Sequence, residues 1–120
     1  MKKILVVDDE EILRMLILDT LEDLGYEVEE AEDGQEALEK VEQLEYDLMI
    51  LDYMMPNVTG IEVIERLPDS IKAKLPVLML TAKAQVADRQ EVLDKGADYF
   101  MAKPFSPSDL ESVVKEILNG

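Results

Sequence analysis

The chain has 120 residues, 48% hydrophobic and 33% charged, which suits one folded domain with a core and not a disordered tail. It contains no cysteine, histidine or tryptophan, so disulfides, Cys/His zinc sites, thiol and Ser-His nucleophiles and imidazole acid–base chemistry are excluded. The net charge is −16 and uneven: residues 1–60 hold 18 acids and 4 bases, residues 61–120 hold 10 and 8. No basic face for a phosphate backbone is expected, hence no direct nucleic-acid binding. The nearly neutral second half is the face less repulsive to other acidic proteins.

Along the chain, short apolar runs alternate with amphipathic stretches. Ile4-Leu5-Val6-Val7 follows Met1-Lys2-Lys3 but stops at Asp8-Asp9-Glu10-Glu11, too soon for a signal peptide. No segment approaches the roughly 18 apolar residues of a membrane span, and a cytoplasmic protein without membrane contact is expected. Runs at 4–7, 48–51 and 77–80 read as strands buried on both faces, 26–30 as a more polar edge strand, and 99–101 as a short aromatic one. Helical patterns are predicted at 10–24, 34–45, 60–67, 84–95 and 107–118. Gly25 ends the first, Asp33-Gly34 opens the second, Gly96 closes the fourth, and Ser106-Pro107-Ser108-Asp109 caps the fifth.

Five strands alternating with five helices predict an α/β fold with a doubly wound parallel sheet, as a single domain over 1–120. In the first helix, Leu13, Ile17, Leu21 and Leu24 share the face that packs on the sheet. Ile12, Met15 and Leu16 lie on an adjoining arc, which fits either a broadly buried helix or a partner-docking stripe. In the fourth, only Val86, Val92 and Leu93 are sizeable apolar residues, so that helix is expected to pack thinly and to shift easily.

In an open parallel sheet, ligands bind where the carboxyl ends of the strands converge. The residues following the central strands are Asp8-Asp9, Asp52, Thr81 and Lys103. Each alone has an ordinary reading: an acidic helix start, a turn residue, a surface lysine. Together they put three carboxylates, a hydroxyl and an ammonium on one rim. Crowded carboxylates repel, and a divalent cation such as Mg²⁺ offsets them.

The acidic pair, Asp52-Tyr53-Met54-Met55-Pro56 through Gly60, Leu80-Thr81-Ala82, and Gly96-Ala97-Asp98 through Lys103-Pro104-Phe105 resemble the receiver domain of bacterial response regulators over essentially the whole chain. The resemblance implies a flavodoxin-like strand order 2-1-3-4-5. It implies that Asp52 accepts phosphate, that Asp9 and Asp52 ligate Mg²⁺ (or Mn²⁺), and that Asp8 acts through water and the Met54 carbonyl as a further ligand. Thr81 and Lys103 would meet the phosphoryl oxygens, with a cis Lys103–Pro104 bond turning the lysine inward. Phe100 would be the switch aromatic responding to Thr81, with Tyr99 only its neighbour. The resemblance further implies a sensor histidine kinase or histidine phosphotransfer protein as donor, and a downstream protein target that the sequence does not name. The chain would then be a phospho-acceptor assisting its own chemistry, not an enzyme acting on other substrates. Docking is expected at Ile12, Met15, Leu16, Pro104 and Phe105. Met54 and Lys83, two residues after Asp52 and Thr81, are the positions that tune the lifetime of the phosphate.

Other readings of the same scaffold are weaker. An aspartyl-phosphate hydrolase normally has a second acid two residues after its nucleophile, where this chain has Met54. A flavin carrier or dinucleotide binder needs a glycine-rich loop after the first strand, where Asp8-Asp9-Glu10-Glu11 stand instead. A receiver-like interaction module that is never phosphorylated would not need Asp9, Asp52, Thr81 and Lys103 together.

Overall fold

Alternation along each central strand builds two cores, one on each face of the sheet. Leu5, Val7, Met49, Leu51, Val77 and Met79 point to one face, and Ile4, Val6, Leu48, Ile50, Leu78 and Leu80 to the other. All twelve are essentially excluded from solvent, and at about 1.5–3 kcal/mol for each large apolar side chain they dominate the stability. The structure, a computed structural model, describes residues 2–82, 93 and 96–119.

The strands are β1 (Lys3–Val7), β2 (Glu27–Ala31), β3 (Leu48–Asp52), β4 (Val77–Ala82) and β5 (Tyr99–Lys103). They form one parallel sheet in the order β2-β1-β3-β4-β5. The described helices are α1 (Glu11–Asp23), α2 (Gly34–Gln43), α3 (Gly60–Arg66), a single turn α4 (Asp69–Lys72), and α5 (Pro107–Asn119). Ala37 and Val41 of α2 and Val63 and Ile64 of α3 cover one face, whereas Ile17 and Leu21 of α1 and Leu110 and Val114 of α5 cover the other. The expected doubly wound architecture is thus the observed one. The helix predicted at 84–95 lies outside the described residues apart from Leu93, and so does Lys83.

Local signals account for the helix ends. Gly25 adopts φ +91°, a left-handed conformation open to glycine, and its N–H reaches Glu22 O at 2.9 Å. Asp33 accepts from Glu36 N–H at 2.8 Å, and Ser106 accepts from Asp109 N–H at 3.1 Å. Thr59 and Glu62 form a reciprocal capping box before α3, a T-x-x-E signal the sequence carried unread. Caps of this kind contribute about 1 kcal/mol each. The turn α4 follows Pro68 and is too short to leave a periodic pattern in the sequence.

Two corrections bear on function. Asp52, Thr81 and Lys103 do not follow their strands but belong to them, because pairing runs on through Asp52↔Leu80, Thr81↔Ala102 and Ala82↔Lys103. The broadly buried version of α1 is also overturned: Ile12, Met15 and Leu16 are 85%, 55% and 42% exposed. The sheet-facing residues Ile17 and Leu21 already fill that face, and the neighbouring arc has nothing left to pack on.

Candidate functional site

The carboxyl edge of the sheet gathers the acidic residues. Val7 pairs with Leu51, so Asp8, one residue beyond β1, comes beside Asp52 at the end of β3. Carboxylate oxygens of Asp8, Asp9 and Asp52 all lie within 4.8 Å of one another. Asp8 and Asp52 are buried, whereas Asp9 is exposed.

Lys103 enters from β5 and bridges the buried pair, donating to Asp52 Oδ1 at 3.0 Å and to Asp8 Oδ2 at 3.2 Å. The Lys103–Pro104 peptide is cis, as expected. The other oxygen of Asp8 accepts from Glu10 N–H at 2.8 Å. Burial, reinforced by the charge of Asp8 and only partly offset by Lys103, pushes the Asp52 carboxyl up to about 6. Burial pulls the Lys103 ammonium down, but Asp52 and Asp8 outweigh it and leave its pKa above the ordinary value. The site holds more negative charge than its lysine neutralises.

Thr81 completes the rim from β4. Its hydroxyl is fully buried and is the one buried side-chain polar atom among the described residues with no hydrogen-bond partner. Such an orphan group costs stability unless something is to be bound there. A mixed set of close carboxylates with one exposed member suits a hard divalent cation, and the unpartnered hydroxyl beside a lysine suits an anionic oxygen. The residues fit both groups.

The loop leaving Asp52 is held close. Tyr53 N–H bonds to Leu80 O at 2.8 Å, and Gly60 N–H returns to Tyr53 O at 2.9 Å. A side chain cannot replace the Gly60 hydrogen, since a Cβ there would sit 2.5 Å from the Asp52 carbonyl oxygen. Within the loop, Met54 is 56% exposed, and Asn57 takes φ 70°, a left-handed conformation that asparagine tolerates.

The remaining predicted residues lie around this centre. Phe100 is half-buried on the edge strand β5 and lines a cleft with Tyr99, Val113 and Ile117. Pro104 is exposed, whereas Phe105 is half-buried against the core shared by α1 and α5. A larger cavity of about 530 Å³, lined by Lys3, Val41, Tyr46 and Leu75 among others, touches none of the site residues. Charge and an orphan donor locate the site better than volume does. Sequence reasoning missed Arg14, which is buried on α1 and donates to the Asp8 carbonyl oxygen at 2.8 Å. The only signal for it was a basic residue in an otherwise acidic stretch.

A doubly wound parallel sheet in this order, with an acidic pocket and a lysine at its carboxyl edge, defines a flavodoxin-like α/β protein with a charged site where such sheets bind ligands. Comparison with known proteins makes the class specific. The response regulator receiver domain profile matches residues 4–115, and the chain belongs to that family, the receiver domains of two-component systems.

The chain is 50% identical over 117 residues to the alkaline phosphatase synthesis transcriptional regulatory protein PhoP of Bacillus subtilis, covering 98% of this chain and 48% of that protein. It is 42% identical over 118 residues to the phosphate regulon transcriptional regulatory protein PhoB of Pseudomonas aeruginosa, covering 98% of this chain and 52% of that one. The chain therefore spans about half the length of these curated relatives. Among solved structures, the chemotaxis response regulator CheY4 of Vibrio cholerae superposes with a TM-score of 0.92 at 39% identity, covering 98% of this chain and 99% of that one. The response regulator TrrA of Thermotoga maritima, solved with Mg²⁺-BeF, gives 0.83 at 39% identity over 98% and 100%. No described helix is long and apolar enough to cross a membrane.

Proposed function

We propose that the chain is a phospho-accepting switch in which Asp52 takes a phosphoryl group from a phosphohistidine of a sensor kinase or phosphotransfer protein. The observation that carries this reading is the Lys103 bridge between Asp52 and Asp8 beside the unpartnered Thr81 hydroxyl. The acidic cluster is suited to Mg²⁺ or Mn²⁺, with Asp9 and Asp52 as direct ligands, Asp8 through water, and the Met54 carbonyl as a further ligand. Such an ion supplies charge neutralisation to an anionic nucleophile and an anionic phosphoryl group.

In the transfer, an Asp52 carboxylate oxygen forms a bond to phosphorus as the N–P bond of the donor breaks. The electron pair of that bond stays on the imidazole, which takes up a proton. Lys103 meets charge developing on the phosphoryl oxygens, and the Thr81 hydroxyl gains the partner it lacks. Drawing Thr81 toward the phosphoryl group frees space for Phe100 and biases the surface of β5, α5 and the predicted fourth helix toward a second conformation. The chain is not an enzyme toward other substrates; it assists its own phosphorylation and dephosphorylation. The exposed Ile12, Met15 and Leu16, together with Pro104 and Phe105, form the docking surface for the donor. A cytoplasmic setting suits a kinase donor.

The test is incubation with Mg²⁺ and a small phosphodonor such as acetyl phosphate, followed by intact mass. One phosphoryl group should be added to the parent and none to Asp52→Asn. Labelling of the Asn variant, or indifference of the parent to Mg²⁺, would overturn the reading.

A further inference from the structure

Three charged side chains are buried among the described residues: Asp8, Asp52 and Arg14. The first two belong to the acidic site, and Arg14 contacts both that site and the edge of the sheet. Its Nη1 donates to the Asp8 carbonyl oxygen at 2.8 Å, and its Nε donates to Glu30 Oε1 at 2.6 Å. Glu30 is in turn fixed on β2, where its carbonyl accepts from Lys40 of α2. The Asp8 N–H also bonds to β2, through Ala31 O at 3.2 Å.

The carbonyl of Asp8 and the N–H of Asp9 belong to one planar peptide. Holding that carbonyl fixes the plane from which the Asp9 side chain departs. Asp8 has other restraints on its carboxylate, in Lys103 and Glu10. Asp9 is exposed, and no hydrogen bond to its carboxylate is found among the described residues. The backbone that Arg14 holds is therefore the restraint found on where the Asp9 side chain starts. A planar guanidinium holds the carbonyl and the carboxylate in a fixed mutual geometry, which a single ammonium does less rigidly.

We infer that Arg14 is a positioning residue for the cation site: it aims Asp9 toward Asp52 by clamping the Asp8–Asp9 peptide to Glu30 of the edge strand. The inference rests on the proposed function, which supplies the cation. Glu30 has a second effect, because it neutralises a guanidinium that would otherwise repel a divalent ion.

The sign of one measurement separates positioning from plain electrostatics. If Arg14 were only a nearby positive charge, its removal would tighten Mg²⁺ binding. As a positioning residue, its removal weakens binding, on the order of tenfold for a group that orients a ligand. The experiment titrates the 120-residue protein with Mg²⁺ alone, by calorimetry and amide chemical shifts, for the parent, Arg14→Met, Arg14→Lys and Glu30→Gln. Arg14→Met should bind about tenfold more weakly, with Arg14→Lys between it and the parent because one ammonium replaces two donors. Glu30→Gln should also weaken binding. The KM for acetyl phosphate should hold at saturating Mg²⁺.

Circular dichroism monitors folding, and if Arg14→Met does not fold, the comparison rests on Arg14→Lys, which keeps the positive charge and changes only the donor geometry. Folded variants that bind Mg²⁺ as tightly as the parent, or more tightly, overturn the inference and leave the proposed function standing. A parent that binds no Mg²⁺ overturns the proposed function itself.

Discussion

Lys103 Nζ lies 3.0 Å from Asp52 Oδ1, joining the last residue of β5 to the last residue of β3 across one intervening strand. The contact does not fully compensate the carboxylate, whose pKa burial and Asp8 still push up to about 6. Between its ordinary value of 3.8 and about 6 the folded state binds more protons at Asp52 than the unfolded state does. Stability from this group is therefore greatest in acid and is lost as pH rises through that window. Without metal, Asp52→Asn is expected to be more stable than the parent at pH 7 by roughly 1–3 kcal/mol. The gap should narrow on acidification towards the lower end of the window. Denaturant titrations of both proteins across that range check it, and a gap that does not change with pH contradicts it.

Gly60 is expected to be intolerant of the smallest side chain. A Cβ there would meet the Asp52 carbonyl at 2.5 Å and Met79 Sδ at 2.9 Å, and the first of these is backbone. Gly60→Ala should cost about 1–3 kcal/mol and slow phosphorylation by acetyl phosphate, because the strand end carrying the acceptor must shift. Unfolding curves together with single-turnover phosphorylation measure both effects.

Thr81 separates stability from signalling. Its hydroxyl has no partner before phosphorylation, so the isosteric Thr81→Val should change the stability of the unphosphorylated protein by no more than about 1 kcal/mol, and in the favourable direction. The same substitution should abolish the change in the Phe100 amide resonance on phosphorylation. A Val variant whose Phe100 responds like the parent would remove Thr81 from the switch.

Met54 stands exposed two residues after the acceptor. On the proposed function, an apolar side chain there would shield the acyl phosphate from water, so Met54→Asn should shorten its lifetime several-fold. Following phosphate release after removal of the donor gives the rate directly, and equal rates would exclude this role.

How much of this was legible in the sequence depends on how each residue acts. The strand core was readable because Ile4-Leu5-Val6-Val7 and Leu48-Met49-Ile50-Leu51 are apolar on both parities, which only a sheet covered on two faces requires. Asp52, Thr81 and Lys103 were readable as chemistry at strand ends, but not as members of the strands. Polar residues weaken a hydrophobic pattern even where the backbone ladder continues through them. Whether Ile12, Met15 and Leu16 were buried could not be decided from periodicity, since a wide apolar arc looks the same with or without a neighbour. Arg14 was invisible for another reason. Its contacts are to a backbone carbonyl six residues back and to a glutamate sixteen residues on, and no local spacing encodes them.

The free edge of β2 carries Glu27, Glu29 and Glu30, with Glu32 just beyond. Lys3 pairs with Glu27 and Glu29 and Arg14 with Glu30, yet four acids against two bases leave the border net negative, which disfavours pairing with a copy of itself. The valine, isoleucine and leucine of the sheet lie under helices on both faces, so on the β2 side an approaching strand meets charge first.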